Sequence, residues 1–360
     1  MGRVLEKTLF GKPARFEGGL HEVAPAVYAW LQPNGEWGES NAGLVAGDGE
    51  ALLVDTLFDP RLTRRMLDTI ARRVDSPIRT LVNTHSDGDH VWGNQHLEGR
   101  EIVATRAAAE IIREEPPAAL QRFKGLAPRL RLLGRLPLPV VGSLRLPLVP
   151  SLPLRELGAY VEGMLAPFDF SDVRVTAPTR AFEGELTLQV GERKVRLLQV
   201  GPAHTPGDLI VHVPDANVVF AADIVFMGVV PVMWAGPTRN WIAALDAIAA
   251  LEPDVVVPGH GPLSGTADLE VLRDYLTWVD AEAEGRLTAG RSVAETAREL
   301  LFSDEHSTAP WSEWDCPERI LITVATIDRH RRGTTRRVGA RERAQLFGQM
   351  AVLAAELERR

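Results

Sequence analysis

The chain has 360 residues, 45% of them hydrophobic, which is ample for a sizeable buried core. Its formal net charge of −8 lacks the positive field that nucleic-acid binding uses. Its single cysteine, Cys316, excludes an intramolecular disulfide, a thiolate zinc site and an iron–sulfur cluster, so any bound metal must be held by His, Asp and Glu.

No internal repeat is visible, and no apolar stretch of signal-peptide or membrane-spanning length occurs. The expectation is a cytoplasmic protein acting on a small-molecule substrate, away from membranes and nucleic acid. Short apolar runs alternate with helical patterns, the signature of an α/β fold. Residues 44–46 and 51–55 read as a hairpin around the turn Gly47-Asp48-Gly49. A helix is predicted over 60–74 and a strand over 78–83, which leads into the densest motif of the chain. Beyond it, residues 125–153 are rich in Leu, Val, Pro and Arg without an acidic residue. Their prolines, from Pro128 to Pro153, are expected to break any long helix. This segment reads either as an apolar lid or pocket wall, or as a structural insertion or homodimer contact. Strands are predicted over 186–190, 195–200, 209–213, 218–222 and 255–257, with a helix over 241–251. After residue 265 the pattern is helical. Ser292 and Glu295 form a capping-box pair, and Leu346, Met350, Leu353 and Leu357 fall at helical spacing.

The chemistry concentrates in Asn83-Thr84-His85-Ser86-Asp87-Gly88-Asp89-His90-Val91-Trp92-Gly93-Asn94, where four metal-ligating side chains fall within six residues after a predicted strand. A loop at a strand's C-terminal end can converge such side chains on a small volume, and imidazole nitrogen with carboxylate oxygen suits zinc, iron or manganese. Three further candidates end their own predicted strands: His204 in Gly201-Pro202-Ala203-His204-Thr205-Pro206-Gly207, Asp223 after 218–222, and His260 in Pro258-Gly259-His260-Gly261. Strand ends along one sheet edge lie together in space. Seven donors exceed what one ion uses, so two divalent ions are expected.

From about residue 27 to 264 the chain resembles the metallo-β-lactamase superfamily, in the flavour of its glyoxalase II-like and related hydrolases. The first family motif is His-x-His-x-Asp-His, and His204, Asp223 and His260 follow in the family's order. The resemblance implies a four-layer αβ/βα sandwich over 1–264, interrupted by an insertion at about 106–178 and followed by a helical extension over 265–360. It also implies one ion on His85, Asp87 and His204, the other on Asp89, His90 and His260, with Asp223 bridging them. Asp55 matches a position that supports the motif loop, while Trp92 and Asn94 either line the pocket or pack beneath it.

The departure is Asp87, which stands where the motif has its second histidine. A carboxylate is a harder donor, so zinc is expected first, with iron or manganese as alternatives. The implied activity is hydrolysis by a metal-bound hydroxide of an acyl-type bond (thioester, lactone or β-lactam), with Asp89 orienting the hydroxide and handling its proton. The alternative is redox or oxygenase chemistry at a diiron centre on the same fold. Arg329, Arg331, Arg332, Arg336, Arg337, Arg341 and Arg343 read either as a solvated linker or as a handle for an anionic substrate group. His21, His96, His212, His306, His330 and Cys316 are assigned structural or surface roles.

Overall fold

The computed structural model describes residues 5–114, 117–134, 153–334 and 336–360. Strands β1 (Leu5–Lys7), β2 (Pro13–Ala24), β3 (Val27–Leu31), β4 (Ala42–Ala46) and β5 (Ala51–Val54) form an antiparallel meander. Helix α1 (Pro60–Ala71) then crosses to β6 (Ile78–Val82), and the sheet continues in parallel through β7 (Glu101–Thr105) to β8 (Arg180–Phe182). Between these strands come α2 (Gly88–Val91), α3 (Arg106–Glu114), α4 (Pro117–Leu133) and α5 (Leu154–Leu165). The second sheet holds β9 (Glu185–Val190), β10 (Arg193–Gln199), β11 (Leu209–Val213), β12 (Val218–Phe226) and, after α6 (Thr238–Ala249), β13 (Val255–His260). Its order is β13-β12-β11-β10-β9, with the β12 and β13 pair parallel. The chain closes with α7 (Thr266–Thr288), α8 (Val293–Leu301), α9 (Asp304–Thr308), α10 (Ile320–Arg331) and α11 (Ala340–Leu357).

Strand alternation builds the layers. In β3, Val27, Ala29 and Leu31 face Leu197, Val211 and Phe220 of the other sheet, whereas Tyr28 and Trp30 face outward toward Met66 and Ile70 of α1. That period of two buries both faces of the first sheet. Helix α1 starts where it does because Asp59 caps it, accepting from the amides of Arg61 and Leu62, with Pro60 at its first position. The outer face of the second sheet packs Val219 and Ala221 against Trp241 of α6, Leu272 and Tyr275 of α7, and Ile320 and Val324 of α10. The arrangement is the four-layer αβ/βα sandwich. One continuous core joins this sheet to the C-terminal helices, so no packing boundary falls at residue 264.

Helix α4 corrects the expectation that prolines break every long helix from residue 125 on, for it runs 17 residues with Pro128 inside. An internal proline costs about 3 kcal/mol, and tight packing on α5 offsets it. Gly158 of α5 lies so close to the α4 backbone at Ala127 and Arg131 that a Cβ there would collide with it. The remainder of that segment, 135–152, lies outside the described residues. Strand β12 also extends past its predicted end, so Asp223 sits within the strand, after a register shift at Ala222. Among the described residues, no helix is long and apolar enough to cross a membrane.

Candidate metal centre

The predicted donors meet at one edge of the sandwich. The loop after β6 supplies His85 and Asp87, and α2 supplies Asp89 and His90. His204 comes from the turn between β10 and β11, Asp223 from β12, and His260 from the last position of β13. Donor atoms of His85, Asp87 and His204 lie within 4.8 Å of one another, as do those of Asp89, His90 and His260. Asp223 stands between the two groups. Its Oδ1 is 3.0 Å from His90 Nε2, and its Oδ2 is 3.8 Å from His85, 3.4 Å from His204 and 3.5 Å from His260 Nε2. Asp87 Oδ2 is 3.2 Å from His204 Nε2, and Asp89 Oδ2 is 3.3 Å from His260 Nε2.

Each histidine is held by its other nitrogen. His204 Nδ1 lies 2.6 Å from the Val232 carbonyl and His260 Nδ1 lies 3.2 Å from the Gly35 carbonyl. A carbonyl only accepts, so both Nδ1 atoms carry protons. Thr84 Oγ1 donates to Asp55 Oδ2 at 2.6 Å and therefore accepts from His85 Nδ1 at 3.0 Å, while His90 Nδ1 donates to Asp55 Oδ2 at 3.0 Å. All four imidazoles thus point Nε2 inward. Among the described residues, the buried Nε2 atoms of His85, His90 and His204, and Oδ1 of Asp223, have no well-formed hydrogen-bond partner. Buried polar atoms are rarely left so, and lone pairs that converge on one another's space without bonding fit metal ions. Neutral imidazoles with carboxylates suit such ions chemically as well.

The local fold enforces this convergence. Ala222, at φ +46°, and the accompanying bulge turn Asp223 inward. Gly259 lies directly beneath it, where a Cβ would strike Asp223 Oδ1. Gly35, at φ +73°, lets its loop approach the backbone of His260 and Gly261 more closely than any side chain permits. Ser40 Oγ donates to the Asp89 carbonyl at 2.6 Å, and Asn41 Nδ2 bonds the carbonyls of Pro258 and Gly261.

Electrostatics shows how protons compete for the same lone pairs. Burial, the largest influence, favours neutral His204, yet Asp87 and Asp223 outweigh it and push it up to about 10. Burial and the neighbouring His90 lower His85 to about 4. Burial also acts to raise Asp87, but His204 overcomes it, and His85 and Arg343 add to the net lowering. Asp87 and Asp89 are the most open donors, with side chains 29% and 16% exposed against 5% or less for the others.

Of the flanking candidates, Asp55 lies beneath the motif, bonding Thr84 and His90. Trp92 is buried and stacks on Phe58, with ring centroids 5.2 Å apart. Asn94 is fully buried and bonded to Thr56, Asn83 and the Thr176 carbonyl. Both pack under the loop. Cys316 holds a left-handed backbone at φ 55°, and burial raises its thiol pKa. Much of the arginine run is ion-paired: Arg331 and Arg332 with Asp328, Arg336 with Glu342, and Arg337 across the fold with Glu114. The guanidinium of Arg343 also lies over the Trp234 ring. Sequence reasoning missed the aromatic row of Trp37, Phe347 and Trp234, whose neighbouring ring centroids are 5.9 and 6.4 Å apart.

The family profile described as Metallo-beta-lactamase superfamily matches residues 35–260. The chain belongs to this superfamily, and its His and Asp donors form two groups that could each hold a metal ion. It is 28% identical over 262 residues to the linear primary-alkylsulfatase of Pseudomonas sp. (strain ATCC 19151), a match covering 69% of this chain and 47% of that protein. The chain thus spans about half the length of that relative. Among solved structures, it is similar to the stereoselective inverting sec-alkylsulfatase Pisa1 from Pseudomonas sp., at a TM-score of 0.62 and 17% identity over 87% of this chain and 50% of that one. It is also similar to a metallo-beta-lactamase from Pontibacter korlensis, at a TM-score of 0.50 and 16% identity over 72% of this chain and 98% of that one.

Proposed function

We propose that this chain hydrolyses a sulfate monoester of an apolar alcohol, with water and the ester giving the alcohol and hydrogensulfate. The observation that carries the reading is the convergence of four histidines and three aspartates in two groups around Asp223, combined with the resemblance to a protein named as an alkylsulfatase. His85, Asp87 and His204 would hold one ion and Asp89, His90 and His260 the other, with Asp223 shared. Bound there, zinc or another divalent ion supplies Lewis acidity and lowers the pKa of water. Three carboxylates against two dications leave the donor set with one net positive charge, which favours an anionic substrate over a cationic one.

Asp89, the second most open of the donors, would orient the attacking water and accept its proton. The imidazole protons donated to Val232, Gly35, Thr84 and Asp55 hold the four rings with Nε2 turned inward, in the orientation that metal binding would use. Sulfate release from linear alkyl sulfates, compared with turnover of a thioester, a lactone and a β-lactam under zinc, iron or manganese loading, tests the reading. Sulfate-ester turnover exceeding the acyl substrates supports it. Turnover confined to acyl substrates would replace it with acyl-bond hydrolysis on the same site.

A further inference from the structure

The loop of residues 32–41, between β3 and β4, is buried along nearly its whole length although it forms neither helix nor strand. Buried backbone needs partners, and this loop makes bonds on two sides. On its inner side it grips one donor group. The Gly35 carbonyl accepts the Nδ1 proton of His260 at 3.2 Å, and Ser40 Oγ donates to the Asp89 carbonyl at 2.6 Å. Asn41 Nδ2 donates to the carbonyls of Pro258 and Gly261 at 3.0 and 2.9 Å, and the Asn41 amide donates to the Gly259 carbonyl at 2.7 Å. Three of the four carbonyls of residues 258–261 therefore end on Asn41. Strand β13 is the edge of its sheet and its register against β12 shifts twice before His260, so Asn41 supplies bonds that a regular ladder would have made. On its outer side the loop is held by residues 9–15. The Glu39 carboxylate accepts the Leu9 amide, Lys12 pairs with Glu36, and the Asn34 side chain bonds the Arg15 amide at 2.8 Å and the Pro13 carbonyl at 3.2 Å. The other donor group is fixed from elsewhere. Asp208 accepts the amides of Ala203 and Thr205 at 3.1 and 3.0 Å, and the amides of Trp234 and Ala235 donate to the His204 carbonyl at 2.9 and 3.1 Å. Among the described residues, no hydrogen bond joins residues 32–41 to His85, Asp87 or His204.

We propose that residues 32–41 are a one-sided holder for metal, with Asn41 as the main positioning residue: they set the affinity of the ion that Asp89, His90 and His260 would take, and not that of the ion on His85, Asp87 and His204. This rests on the two-ion reading of the site and deepens it, by giving the two ions separate supports in the chain. Metal affinity depends on how far the ligands are already in place before binding, so fixing the backbone beside Asp89 and His260 favours the ion they share. Asn41 acts through the backbone of residues 258–261, and Ser40 acts through that of Asp89. Because residues 9–15 hold the outer side of the loop, the docking of the N-terminal strands bears on the same ion.

Competition for zinc between the full chain and a chromophoric chelator, checked by elemental analysis, tests this without turnover. Wild type should release zinc in two steps. Asn41→Ala should weaken one step by about 10–100-fold, the usual effect of losing a support behind metal ligands, and leave the other in place. Ser40→Ala loses a single neutral hydrogen bond and should weaken the same step by about 2–10-fold; it decides the matter if Asn41→Ala does not fold. Asp208→Asn should weaken the other step instead. Backgrounds lacking one donor assign the steps: adding Asn41→Ala to His204→Ala should lower the affinity for the remaining ion, whereas adding it to His260→Ala should change nothing. A merely structural role would move both steps together, and equal weakening of both, or no change in either, would overturn the holder. A single step in wild type would reject the two-ion reading, and the holder would fall with it unless that step follows Asn41→Ala and not Asp208→Asn.

Discussion

Asp55 and His90 are 35 residues apart in sequence, yet Asp55 Oδ2 accepts the His90 Nδ1 proton at 3.0 Å. The same carboxylate takes the Thr84 amide at 2.8 Å and hydroxyl at 2.6 Å, and through Thr84 it orients His85 as well. One aspartate therefore sets the direction of a histidine in each donor group. Asp55→Ala should weaken metal binding by about 10–100-fold, the usual effect of removing a partner of a ligating histidine. Chelator competition followed by elemental analysis measures this, and affinity equal to wild type would show that the loop is held without Asp55.

Gly259 leaves the space that Asp223 occupies. Gly259→Ala should displace that carboxylate, so metal content and turnover should fall together, as they should in Asp223→Ala. Wild type should hold two ions per chain on reconstitution. A single ion at saturation, or an Asp223→Ala protein with full metal content and activity, contradicts the shared position of this residue.

Asp87 tests both the donor set and the reaction. Asp87→His replaces a carboxylate by a neutral nitrogen donor and should tilt occupancy toward zinc in cells grown in one medium. Hydrolysis should survive in the zinc form, because zinc has the required Lewis acidity, whereas redox chemistry at iron would disappear. Identical metal ratios in mutant and wild type would mean that Asp87 does not touch the metal.

Glu39 is fully buried, and burial, with Glu36 adding to it, raises its carboxyl from 4.5 to about 7 against the opposing bond from the Leu9 amide. Between those values the folded state holds a proton that the unfolded chain has lost. Stability contributed by this group therefore falls as pH rises from 4.5 to about 7, by roughly 3 kcal/mol in all. Glu39→Gln removes the titration while keeping an acceptor oxygen. In EDTA-treated protein, its stability relative to wild type should improve between pH 5 and pH 8, as read by urea denaturation. A difference that does not change with pH would show that Glu39 ionises without cost.

The sequence by itself determined the α/β class and the seven donors, because both leave local traces. Short apolar runs mark strands such as β5 and β11, and side-chain types able to ligate metal are dense around His85 to His90. The capping box at Ser292 and Glu295 was equally legible, since both its bonds close within four residues. What depended on distant packing was not. Helix α4 keeps Pro128 because Gly158, thirty residues on, lets α5 press against it, and a proline rule read locally has no access to that contact. Asp223 looked like a strand end, but parallel pairing with β13 carries β12 on to Phe226 and leaves the aspartate at a bulge. The arginine run showed the same limit. Its members look alike in sequence: Arg331 and Arg332 pair with Asp328 one turn away in α10, but only the tertiary fold brings Arg337 to Glu114 of α3 and Arg343 over Trp234. Residue type is a local property, whereas the side on which a side chain meets the substrate is decided by the sum of long-range contacts that place its helix.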